Sequence, residues 1–386
     1  MDFKLSKEHE MARKMFREFA ENELEPLAVE IDEEERFPWE SVEKFARYGM
    51  MGIPIPKKYG GAGGDNLMYC IAIEEISKKC ATSSVIVAAH TSLCMGPIMA
   101  FGTEEQKMKW IPDLASGRKI GAFGLTEPGA GTDASGQQTM AVKDGDEYVL
   151  NGTKCFITNG DTASTYVVFA VTDKTKGLKG ISLFVVEKGT PGFSTGLHEK
   201  KMGIRGSSTT DLIFEDCRIP AGNLIGKEGQ GWKICMHTLN GARAGVAAQA
   251  LGIGEGALDL AMKYVQERMQ FKKKLSKFQR TQFEIADMHT KLEAGKLLVY
   301  SAACKEDAYN KGDKTQNYAM DSAMAKLFCG EAASDVTRRC VQLFGGYGYI
   351  REYQVERMMR DAKITEIYEG TSEVQRMVIS GALLVI

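Results

Sequence analysis

The interval 121–229 breaks a chain otherwise written in helical period, and that break limits the folds open to it. Within it, β-rich runs (Tyr148-Val149-Leu150, Tyr166 to Val171, Ile181 to Val186, Leu212 to Phe214) alternate with turn signals at Asn151-Gly152, Asn159-Gly160 and Lys188-Gly189-Thr190-Pro191-Gly192. Short strands this close, with no helices between them, predict an antiparallel sandwich or barrel and not a parallel α/β sheet. Helical patterning flanks it on both sides. The predicted class is α+β in three parts: an N-terminal α-helical domain over 1–120, a middle antiparallel β domain over 121–229, and a C-terminal helical bundle, most simply four-helix, over 230–386.

On the N-terminal side, Met11, Met15 and Phe19 recur at helical steps. Trp39 to Tyr48 and Leu67 to Lys79 read as further helices, and Ser84 to Phe101 is apolar nearly all round, which predicts burial. Thr103-Glu104-Glu105-Gln106 has the form of a capping box. On the C-terminal side, Trp232 to Gln270, Lys277 to Lys311 and Met320 to Phe344 are long helical tracts. Small residues crowd 241–250, as they would for close backbone approach to another helix or to a ligand.

Bulk properties exclude several classes. Net charge is −2, which argues against nucleic acid or an anionic membrane surface. No apolar run is read as long enough for a spanning helix. The charged amphipathic start, Met1 to Glu8, predicts neither a signal peptide nor a transit peptide. Nine cysteines lie scattered without a C-x-x-C pair, as reduced thiols do in a cytoplasm, and five isolated histidines give no metal-ligand spacing.

Five stretches carry candidate chemistry. Phe123-Gly124-Leu125-Thr126-Glu127-Pro128-Gly129-Ala130-Gly131-Thr132-Asp133 is a loop of glycines and hydroxyls, either a plain turn or a backbone cradle for a polar ligand. Asn151 to Gly160 contains Phe156 and Thr158 before a turn. Arg268-Met269-Gln270-Phe271-Lys272-Lys273-Lys274 is a basic, aromatic and amide cluster between helices, reaching Phe278-Gln279. Gln342-Leu343-Phe344-Gly345-Gly346 reads as a C-cap or a phosphate approach. Last, Ile367-Tyr368-Glu369-Gly370-Thr371-Ser372-Glu373 reads as a helix end, a glycine turn and a new N-cap. Locally, Glu369 is better explained by a surface helix–helix connection than by a cleft. Neither a Rossmann fingerprint nor a P-loop is present.

Together, in this order and over essentially the whole length, these motifs resemble the acyl-CoA dehydrogenase family, most nearly its bacterial short-chain, butyryl-CoA-type members. The resemblance implies an FAD enzyme that converts an acyl-CoA to a trans-2-enoyl-CoA and passes electrons to an electron-transferring flavoprotein. Glu369 would be the base that removes the α-proton while the β-hydrogen leaves as hydride. Phe123, Leu125, Thr126, Gly131, Thr132, Phe156, Thr158, Thr371 and Glu373 would line the flavin. Arg268, Phe271, Gln342 and Gly346 would reach the ADP part of FAD across a subunit interface, which implies an oligomer, in this family usually a tetramer; Gln270, Gln279 and Gly345 would also bind the cofactor. Thr132, Asn240, Arg243, Tyr368 and Gly370 would meet the acyl-CoA. Some relatives place the base near Asn240, but Leu239-Asn240-Gly241-Ala242-Arg243 carries no carboxylate. The resemblance leaves open an oxidase using O2, the reverse reaction as an enoyl-CoA reductase, and a non-catalytic flavoprotein. Departures from the usual pattern are Asn240 in place of Asp, Lys272-Lys273-Lys274 in place of Gly-x-Pro, and Gln354 in place of Pro.

Overall fold

The structure, a computed structural model, describes residues 4–384. Helices occupy the N-terminal part, beginning with Lys7–Phe19, which turns Phe16 and Phe19 inward. Met11 and Met15, read from sequence as its apolar face, lie exposed instead. Trp39–Arg47 and Asn66–Ser77 follow, and the Thr103/Gln106 capping box opens Glu104–Ala115 as predicted.

One sequence expectation is overturned here. Ala81–Phe101 is a single helical run of 21 residues, long and apolar enough to cross a membrane. Most of it is buried against the sheet and the C-terminal helices, so core packing accounts for its composition. The run includes a π-helical stretch, Ala89–Met95.

The middle part is one eight-stranded sheet of β1 (Gly121–Gly124), β2 (Met140–Asp144), β3 (Glu147–Thr158), β4 (Thr165–Val171), β5 (Ile181–Glu187), β6 (Phe193–Thr195), β7 (Thr209–Pro220) and β8 (Leu224–Ile225). Its order is β6-β7-β3-β2-β4-β5-β8, with β1 on β4. Most pairings are antiparallel, but β1 and β2 both run parallel to β4, at Gly121↔Thr165 through Gly124↔Val168 and at Met140↔Val171. The two therefore share one edge of β4, and the Gly-rich segment between them is the excursion the chain makes in passing from one to the other. β4 is buried on both faces, which explains its unbroken apolar run. Alternate residues of β4 and β5 pack inside the sheet (Tyr166, Val168, Phe184, Val186) or outward against helices (Val167, Phe169, Leu183, Val185). Asn151-Gly152 is not a turn. It lies within β3, where the register slips between Leu150 and Gly152, and a Cβ on Gly152 would strike Thr139.

Two side chains bind the first helices to the sheet. Buried His90 bridges the Leu114 carbonyl (3.1 Å) and the Gly121 N–H (2.9 Å), and burial lowers its pKa to about 4, keeping it neutral. Asn159 donates to the carbonyls of Ile86 and Gly121.

The C-terminal part is built on Gly231–Glu267, Gln279–Asn310 and Tyr318–Phe344, followed by Val355–Lys363 and Ser372–Leu384. The small residues of the first helix serve helix packing. Gly245 lies against the Tyr69 ring, and Gly252 and Gly256 lie against the backbone of Glu74 and Lys78, where a Cβ would collide.

Candidate active site

After Val355–Lys363 the chain tightens into the short 3-10 turn Ile364–Glu366 and then reverses. Two consecutive left-handed residues make the reversal, Glu369 (φ 53°) and Gly370 (φ 96°). Glycine takes such a φ freely, whereas glutamate is strained there. The next helix is capped by the Thr371 hydroxyl, which accepts from the Val374 N–H at 3.3 Å. Buried Gln375 donates to the carbonyls of Glu369 (3.3 Å) and Gly370 (2.8 Å), and the Lys326 ammonium donates to the Gly370 carbonyl at 2.6 Å. The turn is thus fixed by side chains from two helices, and the Glu369 carboxylate is held where they leave it.

One oxygen of that carboxylate lacks a partner. Its Oε2 is buried and has no hydrogen-bond partner among the described residues. Burial raises its pKa to about 7, against the pull of the Lys326 and Arg243 charges. Arg243, 3% exposed, donates from Nη1 to Asn240 Oδ1 (2.7 Å) and leaves a buried Nε unpaired. Burial lowers the pKa of Arg243 and brings that of Lys326 to about 8. Tyr368 packs against the helical core, and its hydroxyl donates to Gln249, which in turn donates to the Ala81 carbonyl and the Ser84 hydroxyl at 3.1 Å each. A carboxylate with one buried oxygen and a pKa near neutrality, flanked by two cations, can accept a proton from a weak carbon acid brought against it.

Other residues named from the sequence fall into two groups. Phe123 packs with Ala89, Leu93, Leu239 and Ala242, the last of which directly precedes Arg243, so β1 reaches the helices that frame Glu369. From β1 run Leu125, Thr126, Gly131 and Thr132, and a Cβ added at Gly129 or Gly131 would meet nothing. Beside that loop, β3 presents Phe156, 63% exposed with φ 58°, and then Thr158. An aromatic side chain held outward by a left-handed backbone, next to an open glycine cradle, fits a flat ring system. Glu373 is exposed in the first turn of its helix.

The second group lies elsewhere. Arg268, Gln270, Gly345 and Gly346 line a cavity of about 440 Å3 with Tyr264, Phe344 and Tyr347. Gln342 faces a different cavity, with Arg280 and Arg339. Gln279 is an exposed first residue of its helix, and Phe271 is 87% exposed at a two-residue hairpin, Met269–Gln270 with Lys273–Lys274, whose central residues are both left-handed. At about 1.5 Å rise per residue, the 18 positions from Lys326 to Phe344 put this group about 27 Å from the turn at Glu369 along the helix Tyr318–Phe344.

Lys326 and Gln375 were not singled out from the sequence. The available signal was a lysine inside the small apolar run Ala323-Met324-Ala325-Lys326-Leu327, where a charge on a core-facing position needs a partner. A further acid, Glu306, lines a cavity of about 280 Å3 with Tyr69, Ser92, Thr238 and Gly241, and burial raises its pKa to about 8.

Comparison with known proteins gives matches along nearly the whole chain. Residues 6–118, 122–217 and 229–384 match the acyl-CoA dehydrogenase N-terminal, middle and C-terminal domains. A short-chain specific acyl-CoA dehydrogenase of Clostridium acetobutylicum is 59% identical, over 99% of this chain and 100% of that one. The structure of butyryl-CoA dehydrogenase from Megasphaera elsdenii superposes with a TM-score of 0.96 at 50% identity, covering 100% of both chains. A chain from the structural study of the electron transferring flavoprotein of Acidaminococcus fermentans superposes at 0.97 with 53% identity, again over 100% of both.

Proposed function

From the premise that the chain belongs to the acyl-CoA dehydrogenase family, we propose a role for each part of the site around Glu369. The protein is an FAD-dependent acyl-CoA dehydrogenase with short-chain substrates of the butyryl-CoA type, and its electrons go to an electron-transferring flavoprotein. The observation that carries the site assignment is the Glu369 carboxylate, buried, unpartnered at Oε2 and with a pKa raised to about 7.

Glu369 takes the α-proton of the acyl thioester onto a carboxylate oxygen. Its backbone N–H, fixed in the reversed turn, donates to the thioester carbonyl and stabilises the enolate as it forms. Arg243 and Lys326 keep the carboxylate ionised in a site that would otherwise protonate it. Phe123, Leu125, Thr126, Gly131, Thr132, Phe156, Thr158, Thr371 and Glu373 hold the flavin end of FAD, with the open faces of Gly129 and Gly131 leaving room for it. When bound, FAD supplies the acceptor for the β-hydrogen, which leaves as hydride. Thr132, Asn240, Arg243, Tyr368 and Gly370 line the path of the acyl-CoA.

Arg268, Gln270, Phe271, Gln279, Gln342, Gly345 and Gly346 serve the ADP end of a partner subunit's FAD. Their separation of about 27 Å from the Glu369 turn supports this reading, and with it a homo-oligomer, a tetramer in the fullest form. Nine free cysteines support a reducing, cytoplasmic location.

The test is anaerobic titration of the purified holoenzyme with acyl-CoAs from C3 to C8, following loss of the oxidised flavin absorbance. Bleaching strongest near C4 is the expected result. Bleaching that rises steadily with chain length removes the short-chain assignment, and no bleaching with any acyl-CoA removes the assigned chemistry.

A further inference from the structure

The Lys154 side chain is completely buried, and the proton-transfer chemistry does not use it. It sits on β3, between the bulge at Gly152 and Phe156. Its ammonium donates three hydrogen bonds, to Glu127 Oε1 (2.7 Å), to the Leu125 carbonyl (3.1 Å) and to Gln137 Oε1 (3.1 Å). All three acceptors belong to the Gly-rich excursion between β1 and β2: Leu125 where it leaves, Gln137 where it returns, and Glu127 near its start. Glu127 in turn accepts from the backbone N–H groups of Gln138 (2.5 Å) and Thr139 (3.0 Å), and its own backbone exchanges hydrogen bonds with Ala130. One further bond, Cys155 N–H to the Thr126 carbonyl (2.9 Å), joins the next residue of β3 to the same loop.

The tip of the loop is open. Gly129, Gly131 and Thr132 are exposed, and glycine carries the greatest conformational freedom to lose on ordering. An ammonium with three donors suits a site where three acceptors converge from different points of one loop. Burial lowers the Lys154 pKa to about 8, against the Glu127 charge that raises it, and the same pairing holds Glu127 below its ordinary value.

We infer that Lys154 is a positioning residue for the cofactor: through Leu125, Glu127 and Gln137 it fixes the excursion against β3, so that Thr126, Gly131 and Thr132 stand in register with Phe156 and Thr158. The inference rests on the assignment of these residues to the flavin and adds that their mutual placement depends on one buried cation. Lys154 touches neither substrate nor reacting atoms and acts through the loop.

Removing one partner of a buried ion pair leaves the other charged and unpaired, which destabilises a fold whatever the pair does. Two full-length variants separate the explanations: Lys154→Met, and Lys154→Met with Glu127→Gln, which removes both charges and keeps a side-chain oxygen for one of the two N–H groups, those of Gln138 and Thr139, that Glu127 accepts from. The readouts are FAD release from the diluted holoenzyme, followed by recovery of free-flavin fluorescence, and the urea unfolding midpoint. The expected result is FAD release at least about tenfold faster in both variants, with the midpoint of the double variant returned toward wild type. Wild-type release from the double variant would overturn the inference, since the pair would then matter only for charge balance. So would release in both variants accelerated only in proportion to a lowered midpoint. If Lys154→Met fails to fold, the double variant decides alone. A wild-type protein that purifies without FAD and binds none would instead overturn the flavin-site assignment.

Discussion

The Lys326 ammonium stands 2.6 Å from the carbonyl oxygen of Gly370, so the helix Tyr318–Phe344 places a positive charge one residue from Glu369. That charge opposes the effect of burial on the Glu369 carboxylate. Lys326→Met will therefore raise the pKa of Glu369 above about 7, and the base will need a higher pH to ionise. The measurement is kcat/KM against pH. Its acid limb should move upward, with activity several-fold below wild type at neutral pH and the gap narrowing as pH rises. An unmoved limb would show that the lysine only ties the turn.

Glu369→Gln keeps the shape of the turn and removes the base. FAD should remain bound, while the rate of flavin bleaching by butyryl-CoA falls by roughly three orders of magnitude or more. Near-normal bleaching would exclude Glu369 as the base.

Glu306 offers a linkage test that is read in stability and not in turnover. Its folded pKa is raised to about 8 from an ordinary 4.5, so the folded state binds a proton that the unfolded chain releases in that window. This contribution to stability is complete below 4.5 and is lost as pH rises toward 8. Glu306→Gln should match the wild-type Tm trend near pH 4.5 and gain on it steadily as pH rises, by about 2–4 °C near pH 8. Parallel Tm curves for the two proteins would sink the prediction.

Gly370→Ala tests the geometry of the reversal. At φ 96° an alanine is strained, and its Cβ would stand 2.8 Å from Gln375 Nε2. A loss of about 1–3 kcal/mol is expected in chemical denaturation. Because the side chain at 369 turns with the same backbone, kcat should fall further than stability does.

Lys272 predicts the opposite sign. With Phe271 it forms the centre of a two-residue hairpin in which both residues are left-handed, a geometry that favours Asn-Gly. Lys272→Gly should relieve strain and raise the denaturation midpoint by the equivalent of about 0.5–1 kcal/mol. A lowered midpoint would mean that the lysine makes contacts that outweigh the strain.

The three-part architecture was legible because period differs so sharply between 121–229 and its flanks. Asn151-Gly152 misled because a bulge and a hairpin use the same residues, and only the pairing with β7 and the packing of Thr139 beside Gly152 distinguish them. Ser84 to Phe101 was legible as a buried helix, but the full length of its run, Ala81–Phe101, was not, since Thr82, Ser83 and Ser84 at its start read as a boundary. Glu369 was legible as a motif, yet its left-handed backbone was not, since the sequence pointed to Gly370 alone as the bend. Lys326 and Lys154 stayed hidden because their roles come from chain segments far away in sequence.

The left-handed backbone of Glu369 sets a limit on how such a protein can be improved. Two costs coincide at that residue: a φ that L-residues avoid, and a buried carboxylate with an unpartnered oxygen. A glycine there would remove both, so selection for thermal stability alone should favour a chain that has lost the base we propose. Engineering of this protein has to screen for turnover alongside heat resistance, because the most accessible stabilising change at position 369 removes the carboxylate to which the proposed chemistry is assigned.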